Sequence, residues 1–341
     1  MNLQQRKDLL QRLGTCLTSN DPSWQRAKEK AFLDNQWFIP EFIEKSVESI
    51  ANEFLQPSQL DELSRRYHIP QNNTSPQKVG IVMAGNIPLV GFHDFLCVFI
   101  TGHQAWIKPS TKDEALIRHI VSLFHEWEPE TKSFIRLEER LKNCDAYIAT
   151  GSNNTSRYFD YYFGKFPNII RKNRTSVAIL TGEEEKADLE KLADDVYLYF
   201  GLGCRNVSKI YVPEGYDFVP LLNAFRKYDY LINHNKYKNN YDYNLAAHIL
   251  NKKFYMTNGS ILLVEDEALF SPISQVHYQY YANREDLRRH LQQNDQVQCI
   301  VNDGETGFGD AQHPGICNFA DGVDTMDFLM KLTSEKEVRK P

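Results

Sequence analysis

The stretch that decides the fold reads Val79-Gly80-Ile81-Val82-Met83-Ala84. This short apolar run is typical of a buried strand, and Gly85-Asn86 ends it. The residues from Ile87 to Ile100 are largely apolar on all sides, which predicts a buried helix. Asn86 fits the cap of that helix, and Pro88 fits its first turn.

The same alternation of strand and helix continues downstream. Ala105-Trp106-Ile107 predicts a second strand, and a helix follows in which Thr111 and Glu114 have capping-box spacing. Ala146-Tyr147-Ile148-Ala149 predicts a third strand, with a helix over Asn153 to Phe163 behind it. A βαβαβ pattern predicts a parallel sheet with both faces covered, and phosphate-bearing ligands bind at the carboxyl ends of such strands. The common GxGxxG fingerprint is absent from the sequence.

The flanking regions predict helices before this sheet and a second α/β unit after it. Residues 1–75 have the apolar spacing of amphipathic helices. A second unit is predicted to begin near Ser176, with a helix over Lys186 to Phe200 that Gly201-Leu202-Gly203 ends just before Cys204. The polar stretch from Asn233 to Asn244 predicts a loop or a solvent-exposed helix end. Strands are predicted at Val177–Leu180, Lys209–Val212, Ile261–Val264, Val276–Tyr280 and Gln298–Val301.

Composition excludes several classes of protein. The chain has 341 residues, of which 42% are hydrophobic and 25% charged, as in ordinary globular proteins. Its net charge of -6 gives no general attraction to nucleic acid. We expect neither a secretory signal at Met1 to Leu17 nor a membrane span, because polar residues interrupt the apolar region from Val79 to Thr101. The six cysteines show no zinc-binding spacing, so we expect no metal, and reduced thiols in a cytoplasmic protein.

Four positions are candidates for chemistry, each with an ordinary structural alternative. Cys204 follows a glycine-broken helix end and precedes Arg205, whose charge favours the nucleophilic thiolate, but a structural cysteine is the alternative. Asn86 could donate to an oxyanion or only cap a helix. Lys108 could meet a ribose or phosphate, or lie in solvent. Gly151-Ser152 would suit a pyrophosphate at a helix N-terminus, or form a turn.

Four motifs in order resemble those of the aldehyde dehydrogenase superfamily, and within it the LuxC-type acyl-CoA reductases. The superfamily segment W-N-F-P-L is similar to residues 85–89, and A-A-G-N-x-V-x-x-K-P-S resembles residues 101–110. F-T-G-S resembles residues 149–152, and G-Q-x-C-x-x-x-x-R-x-x-V resembles residues 201–212. Residues 173–178 and 320–325 resemble segments specific to the acyl-CoA reductase branch.

The resemblance implies a fold and residue roles. It implies an aldehyde dehydrogenase-like α/β fold with a Rossmann-type cofactor domain and an α/β catalytic domain, both with mainly parallel sheets and with the active site in the cleft between them. We place N-terminal helices and the dinucleotide-binding domain at 1–180, the thiol domain at 181–312 and a C-terminal segment at 313–341. Cys204 would accept the acyl group, and the Asn86 side chain and the Cys204 N–H would form the oxyanion hole. The expected cofactor site comprises Lys108, Ser110, Gly151 and Ser152, with Lys108 on the adenosine ribose and Ser152 on the pyrophosphate.

Three departures from the superfamily pattern refine the expectation. Oxidising members carry E-L-G-G-K, whose Glu activates water, whereas residues 169–174 here contain no carboxylate, which favours reduction over hydrolysis. NAD-preferring members often carry Glu at the position of Thr111, so NADPH is expected ahead of NADH. In the superfamily segment E-I-F-G-P the glutamate corresponds to Ala268, so the ribose carboxylate is absent or displaced to Glu267.

The predicted reaction is NADPH-dependent reduction of an acyl-CoA, or of another acyl thioester such as an acyl carrier protein, to an aldehyde through a cysteinyl thioester. A homodimer is allowed. The rival functions are NAD(P)-dependent aldehyde oxidation, a catalytically silent scaffold of the same fold, and a thioesterase-like acyl transferase. His277 could protonate the leaving thiolate or simply pack, and the tyrosines of residues 228–243 could border an acyl channel or form an aromatic core.

Overall fold

The chain folds into two compact units. The computed structural model describes residues 1–338, and the side chains in that range except those of Asn153 and residues 333–338. The first unit comprises Met1–Asn173 and the described part of Gly315–Pro341, and the second comprises Arg174–Pro314.

Four amphipathic helices open the first unit, as the apolar spacing predicts. They are α1 (Leu3–Leu17), α2 (Pro22–Asp34), α3 (Pro40–Glu53) and α4 (Pro57–Arg66). Asn2 and Gln5 form a capping box at the start of α1, and a proline occupies the first turn of each of the other three helices, where its missing N–H costs no hydrogen bond. Their apolar faces pack into one hydrophobic core with the sheet that follows.

A five-stranded parallel sheet with the order β3-β2-β1-β4-β5 forms the centre of the first unit. Its elements are β1 (Lys78–Val82), α5 (Phe92–Ile100), β2 (Gln104–Lys108), α6 (Glu114–Trp127), a 3₁₀ helix (Pro129–Ser133), β3 (Ile135–Leu137), β4 (Ala146–Thr150), α7 (Asn153–Phe163) and β5 (Asn168–Arg171). Val82 of β1 lies beside Lys108 of β2 and Ala149 of β4. The loops that follow these three strands therefore leave the same edge of the sheet.

The end of the chain returns to this first unit. After the 3₁₀ helix Ala320–Gly322, helix α12 (Thr325–Val338) packs against α5, and Met326 and Leu329 are fully buried in the core of the first unit. His103 joins α12 to the sheet, because its Nδ1 accepts from the Gln77 N–H (3.0 Å) and its Nε2 donates to the Leu329 carbonyl (3.1 Å).

The second unit contains a six-stranded sheet with the order β11-β6-β7-β10-β9-β8, parallel except for β8. Its strands are β6 (Thr175–Ile179), β7 (Val207–Pro213), β8 (Met256–Thr257), β9 (Leu262–Glu265), β10 (Gln275–Tyr281) and β11 (Val297–Val301). Its helices are α8 (Lys186–Tyr197), α9 (Phe218–Ala224), α10 (Asn235–Leu250) and α11 (Arg284–Gln292), with 3₁₀ helices at Leu198–Gly201 and Phe225–Asn233. Two mainly parallel sheets confirm the predicted α/β class.

Two helix starts in the first unit differ from the prediction. Helix α5 begins at Phe92 and not at Ile87, because Leu89 adopts a left-handed backbone (φ 55°) and Gly91 takes the N-cap position. Asn86 therefore lies on a turn and does not cap α5. The capping box predicted at Thr111 is also wrong, since Asp113 occupies the N-cap position of α6 and no side chain caps that helix.

Two helices of the second unit also differ from the prediction. Helix α8 ends at Tyr197 because Tyr199 and Phe200 adopt left-handed backbones (φ 56° and 58°). The stretch from Asn233 to Asn244, predicted as a loop or helix end, lies mostly within α10, since buried Tyr237 and Tyr241 anchor that polar helix.

The boundaries of the two units lie after Asn173 and Pro314, and the divisions predicted from the sequence lie after residues 180 and 312. Strand β6 pairs with β7 and β11, so it belongs to the second unit. Among residues 1–338, no helix combines the length and the apolar character that crossing a membrane would require.

Candidate active site

Cys204 lies on the turn between the end of α8 and the start of β7. Its side chain is partly exposed, so it is not a packed core cysteine. None of the six cysteines, all of which fall within the described chain, forms a disulfide. Cys204 therefore lies on a partly exposed turn and not in the packed core.

The turn that carries Cys204 is held to the end of α8 by the side chain of Asn206. The Asn206 Oδ1 accepts from the Gly203 N–H (2.8 Å), and its Nδ2 donates to the carbonyls of Asp195 (3.0 Å) and Leu198 (2.8 Å). The Asn206 N–H donates to the Gly203 carbonyl (3.1 Å), which closes the turn. We call residues 203–206 the Cys204 turn.

Strand β6 supports the same turn from the other side. The Ser176 Oγ donates to the Cys204 carbonyl (3.1 Å), and the Ser176 N–H donates to the Asn206 carbonyl (3.1 Å). The Ser176 Oγ also lies 3.0 Å from the Cys299 Sγ. Residues 173–178 resemble a family segment, but that resemblance gave Ser176 no role. Asn206 was not predicted either, because its burial is visible only in the structure.

The other five cysteines are poor candidates for a nucleophile. Burial raises the pKa of their thiols, to about 11 in the case of Cys144. A raised pKa keeps a thiol protonated and unreactive at neutral pH. These five residues are Cys16, Cys97, Cys144, Cys299 and Cys317.

In the first unit, buried polar groups hold the turn that carries Asn86. The carboxylate of Asp113 accepts from the Leu89 N–H (2.6 Å), and the Ser46 Oγ donates to the Pro88 carbonyl (2.7 Å). Burial raises the pKa of Asp113 well above its usual value. The Asn86 side chain itself is partly exposed on this fixed turn.

The turn after β1 lies directly against the loop after β2. A Cβ built on Gly85 would lie 2.4 Å from the Ser110 Oγ, so only glycine allows this approach. Lys108, at the end of β2, is exposed, and Ser110 is partly buried. The structure therefore brings Asn86, Lys108 and Ser110 to one edge of the sheet.

Gly151 and Ser152 follow β4, the strand on the other side of β1. Ser152 is the N-cap of α7, its Oγ accepts from the Thr155 N–H (3.3 Å), and the first turn of α7 contains no acidic residue. The five predicted residues of the first unit thus share the carboxyl edge of its sheet, whereas Cys204 belongs to the second unit.

These residues fit a dinucleotide. An exposed lysine, two serine hydroxyls and the N-terminus of an eleven-residue helix suit a ribose and a pyrophosphate, and no carboxylate of the α7 first turn opposes the negative charge. Thr111 and Lys112 are exposed beside them and also carry no negative charge.

Arg171 occupies the stretch in which oxidising superfamily members would carry the water-activating glutamate. It is buried, it forms an ion pair with Asp94 of α5, and its Nη2 donates to the Thr325 Oγ1 (2.8 Å). Within this stretch, the Arg171 guanidinium is therefore held by Asp94 and Thr325.

Two of the alternatives left open by the sequence have structural answers. His277 is buried, with its Nδ1 donating to the Ala268 carbonyl (2.8 Å) and its Nε2 accepting from the Gln275 amide (2.9 Å). Burial also lowers the pKa of His277, so the packed interpretation holds. Tyr228 and Tyr237 are buried against other aromatic rings, and Tyr241 is buried against Leu262 and Val264. Tyr230 and Tyr243 are exposed.

The segment after β9 that resembles E-I-F-G-P is fixed by hydrogen bonds from side chains of β7 to its main-chain carbonyls. The buried Lys209 donates from Nζ to the Glu267 carbonyl (2.7 Å), and the Ser208 Oγ donates to the Leu269 carbonyl (2.6 Å). The side chain of Glu267 is exposed.

Comparison with known proteins identifies the family of the chain. A family model described as acyl-CoA reductase (LuxC) matches residues 25–220, which is more than half of the chain and includes both Asn86 and Cys204. The chain belongs to the LuxC acyl-CoA reductase family. It is therefore an oxidoreductase, and the predicted family is confirmed.

Solved structures of aldehyde dehydrogenases share the fold of this LuxC-family chain. Aldehyde dehydrogenase 21 from Physcomitrella patens, in complex with the reaction product succinate, has a TM-score of 0.65 at 12% identity, covering 97% of this chain and 84% of that chain. The Mycobacterium tuberculosis aldehyde dehydrogenase complexed with NAD+ has a TM-score of 0.64 at 12% identity, covering 88% and 73%. The NAD-dependent aldehyde dehydrogenase from Sinorhizobium meliloti has a TM-score of 0.64 at 12% identity, covering 88% and 70%. The aldehyde dehydrogenase-like fold is confirmed.

The search among curated proteins gave no match.

Proposed function

We propose that this LuxC-family chain reduces an acyl-CoA, or another acyl thioester such as an acyl carrier protein, to an aldehyde with NADPH. The balanced reaction is acyl-CoA plus NADPH plus a proton giving aldehyde, CoA and NADP+. Family membership supports the substrate class. The observation that carries the proposal is the position of Cys204, partly exposed on a turn that buried hydrogen bonds hold in place.

Cys204 would act as the nucleophile. Its thiolate attacks the carbonyl carbon of the thioester, a bond from the Cys204 Sγ to that carbon forms, and the bond to the CoA sulfur breaks as CoA leaves. The Cys204 N–H and the Asn86 amide would donate to the oxyanion of the tetrahedral intermediate. An oxyanion donor of this kind typically contributes about 3 kcal/mol.

The surroundings of Arg171 support reduction over hydrolysis of the acyl-enzyme. A thioester is hydrolysed when a general base activates water, and the stretch that would supply that base carries buried Arg171 paired with Asp94. Aldehyde formation needs no activated water, since the acyl carbon accepts a hydride and Cys204 then leaves as a thiolate.

Bound NADPH would supply the hydride. Lys108 would bind the adenosine ribose, Ser110 would line that site, and Gly151 and Ser152 would bind the pyrophosphate at the start of α7. Exposed Lys112 would favour the 2′-phosphate of NADPH, because Thr111 stands where NAD-preferring members carry a repelling glutamate. The structural neighbours named for NAD+ make NADH the alternative, and kcat/KM measured with each cofactor separates the two.

The deciding experiment is the intact mass of the protein after exposure to an acyl-CoA without cofactor. We expect one acyl adduct, mapped to Cys204, that NADPH discharges as aldehyde. Cys204→Ala should abolish the adduct, and Cys16→Ala, which removes a partly exposed thiol of the first unit, should retain it.

Each rival function predicts a different result in this experiment or in a companion assay with an aldehyde or a dinucleotide. Release of free acid from an aldehyde with NAD(P)+ would favour an aldehyde oxidiser. Discharge of the adduct without any cofactor would favour an acyl transferase. An unmodified protein that binds neither dinucleotide would favour a scaffold. A homodimer and a cytoplasmic location stay predictions of the sequence.

A further inference from the structure

We propose that Asn206 and Ser176 are positioning residues that fix the main chain on both sides of the Cys204 sulfur. The proposal rests on the proposed role of Cys204 as the nucleophile. It concerns two residues that would touch neither substrate nor cofactor and would act only through the Cys204 turn.

The peptide unit before Cys204 is fixed by Asn206. A peptide unit is planar, so the Gly203 carbonyl and the Cys204 N–H lie in one plane and point in opposite directions. The Asn206 N–H donates to that carbonyl (3.1 Å), while the Asn206 Oδ1 accepts from the Gly203 N–H (2.8 Å). The direction of the Cys204 N–H, the proposed oxyanion donor, is therefore set by Asn206.

The Asn206 side chain is itself immobilised. It is 1% exposed, and its Nδ2 donates to the carbonyls of Asp195 and Leu198 at the end of α8. Carbonyls at a helix end lack intrahelical partners, so this amide satisfies them and ties the Cys204 turn to α8. A carboxylate could not replace the amide, because it would face the carbonyl oxygens without a proton to donate.

The peptide unit after Cys204 is fixed by Ser176. Its Oγ donates to the Cys204 carbonyl (3.1 Å), and its own N–H donates to the Asn206 carbonyl (3.1 Å). Ser176 is fully buried in β6, so the hydroxyl is held by the sheet. With both flanking peptide planes fixed, the direction of the Cα–Cβ bond of Cys204 is fixed as well.

Cys299 contacts the Ser176 hydroxyl. The Cys299 Sγ lies 3.0 Å from the Ser176 Oγ, and either atom of this pair can be the donor. Ser176 therefore has a polar neighbour on β11 in addition to the Cys204 carbonyl.

The expected effect is on the chemical step. Misplacement of a reacting atom by about 1 Å can cost about 100-fold in rate. We expect Asn206→Ala to slow acyl transfer to Cys204 about 100-fold, and Ser176→Ala, which removes one hydrogen bond, to slow it about 10-fold. In both variants kcat should fall while KM changes less than about threefold.

Two matched controls separate positioning from loss of stability. Ser260→Ala removes a buried serine hydroxyl that contacts Tyr197 and Asp229, and Asn244→Ala removes a buried amide that donates to the Ile273 carbonyl. Both residues lie in the second unit, and neither side chain forms a hydrogen bond with the Cys204 turn. We expect both controls to lower the thermal unfolding midpoint and to keep the wild-type rate of acyl transfer.

The measurements are the rate of the acyl adduct by quenched-flow mass spectrometry, kcat and KM, and the rate of Cys204 alkylation by iodoacetamide. Alkylation by a small reagent needs no alignment, so in Ser176→Ala it should change less than about threefold while acyl transfer falls. Equal slowing of both reactions, or equal slowing in the controls, would overturn the positioning role.

The two proposals fail in different ways. If the wild-type protein forms no adduct on Cys204, the proposed function falls and the positioning role falls with it. If the wild-type protein forms the adduct and the two positioning variants form it at the wild-type rate, only the positioning role falls. If Asn206→Ala does not fold, Ser176→Ala decides the result alone.

Discussion

Asn86 gives the sharpest test at the scale of single residues. Its turn is anchored by buried Asp113 and Ser46, so removal of the amide should leave the backbone in place. We expect Asn86→Ala to lower kcat by about 100- to 1000-fold with a small change in KM, because an oxyanion donor acts in the transition state. Steady-state kinetics would check this.

The control for Asn86→Ala is Asn283→Ala. Asn283 caps α11 in the second unit, where its Oδ1 accepts from the Glu285 N–H (2.9 Å). Loss of this cap should cost about 1 kcal/mol of unfolding free energy and leave kcat unchanged. A kcat of Asn86→Ala within threefold of the control would contradict the oxyanion role.

Asp195 predicts a pH dependence of stability. It is buried in α8, its carboxylate accepts from the N–H groups of Gly309 (2.7 Å) and Ala311 (3.1 Å), and burial raises its pKa to about 7. The unfolded chain loses this proton near pH 3.8, the ordinary value, so between these pH values the folded state binds more protons. The free energy of unfolding should therefore fall as pH rises toward 7, by up to about 1 kcal/mol per pH unit, and level off above it.

Urea unfolding of Asp195→Asn across this pH range measures the effect. The amide does not titrate, so the stability of the variant relative to the wild type should rise with pH and become constant above about pH 7. Asp242→Asn, which removes an exposed carboxylate of α10, serves as the control and should keep the wild-type slope. Parallel pH profiles for the wild type and Asp195→Asn would show that Asp195 does not carry the proton.

The sequence allowed the residues of the candidate site to be proposed, but not their local geometry to be predicted. Cys204, Asn86 and Lys108 could be proposed because their chemistry and their order along the chain resemble a family pattern. The turn at Asn86 could not be predicted, because it depends on a left-handed Leu89 and on Asp113, which lies 24 residues downstream. The role of Ser176 likewise depends on a hydrogen bond that spans 28 residues.

At the scale of elements, a buried ion pair connects α5, β5 and α12. Asp94 pairs with Arg171, and Arg171 also donates to Thr325 at the start of α12. We expect Asp94→Asn to lower the free energy of unfolding by about 3–5 kcal/mol, because it leaves the Arg171 guanidinium buried without its counter-charge. Chemical denaturation would measure the loss.

The matched control for the buried pair is the exposed pair of Asp286 and Arg289 on α11. Both side chains are largely solvent-exposed, so Asp286→Asn should change the free energy of unfolding by less than about 1 kcal/mol. If the two substitutions lower the free energy of unfolding by the same amount, the Asp94–Arg171 pair is not a structural link between the three elements.

Element prediction succeeded where the pattern was strong and local. The helix over Asn153 to Phe163 was predicted with its observed bounds, and β1, β2 and β4 lie where apolar runs placed them. Strand β3 has only three residues, too few for a periodic signal. Helix α10 was misread because its sequence is polar, and its buried tyrosines stabilise it only through tertiary packing.

At the scale of the whole molecule, the path of the chain was the least predictable feature. Residues 313–341 were predicted as a segment of their own, and the described part of Gly315–Pro341 lies in the first unit. Contacts such as that of His103 with the Leu329 carbonyl span 226 residues. No local pattern reports such a contact, because it exists only after both partners have folded.

Leu329 tests whether α12 is an integral part of the first unit. Its side chain is fully buried in the same core as Phe92, Phe95 and the sheet, and its carbonyl accepts from His103. Leu329→Ala should lower the free energy of unfolding by about 2–5 kcal/mol, because it removes buried methyl groups and leaves a cavity.

Leu33→Ala is the matched substitution for Leu329→Ala. Leu33 lies on α2 of the same unit and is 77% exposed, so Leu33→Ala should lower the free energy of unfolding by less than about 0.5 kcal/mol. Hydrogen exchange adds a second measurement, since α12 amides that open only with the core of the first unit should exchange as slowly as those of β1. Equal stability of the two variants, together with fast exchange throughout α12, would mean that the helix docks on a unit already complete without it.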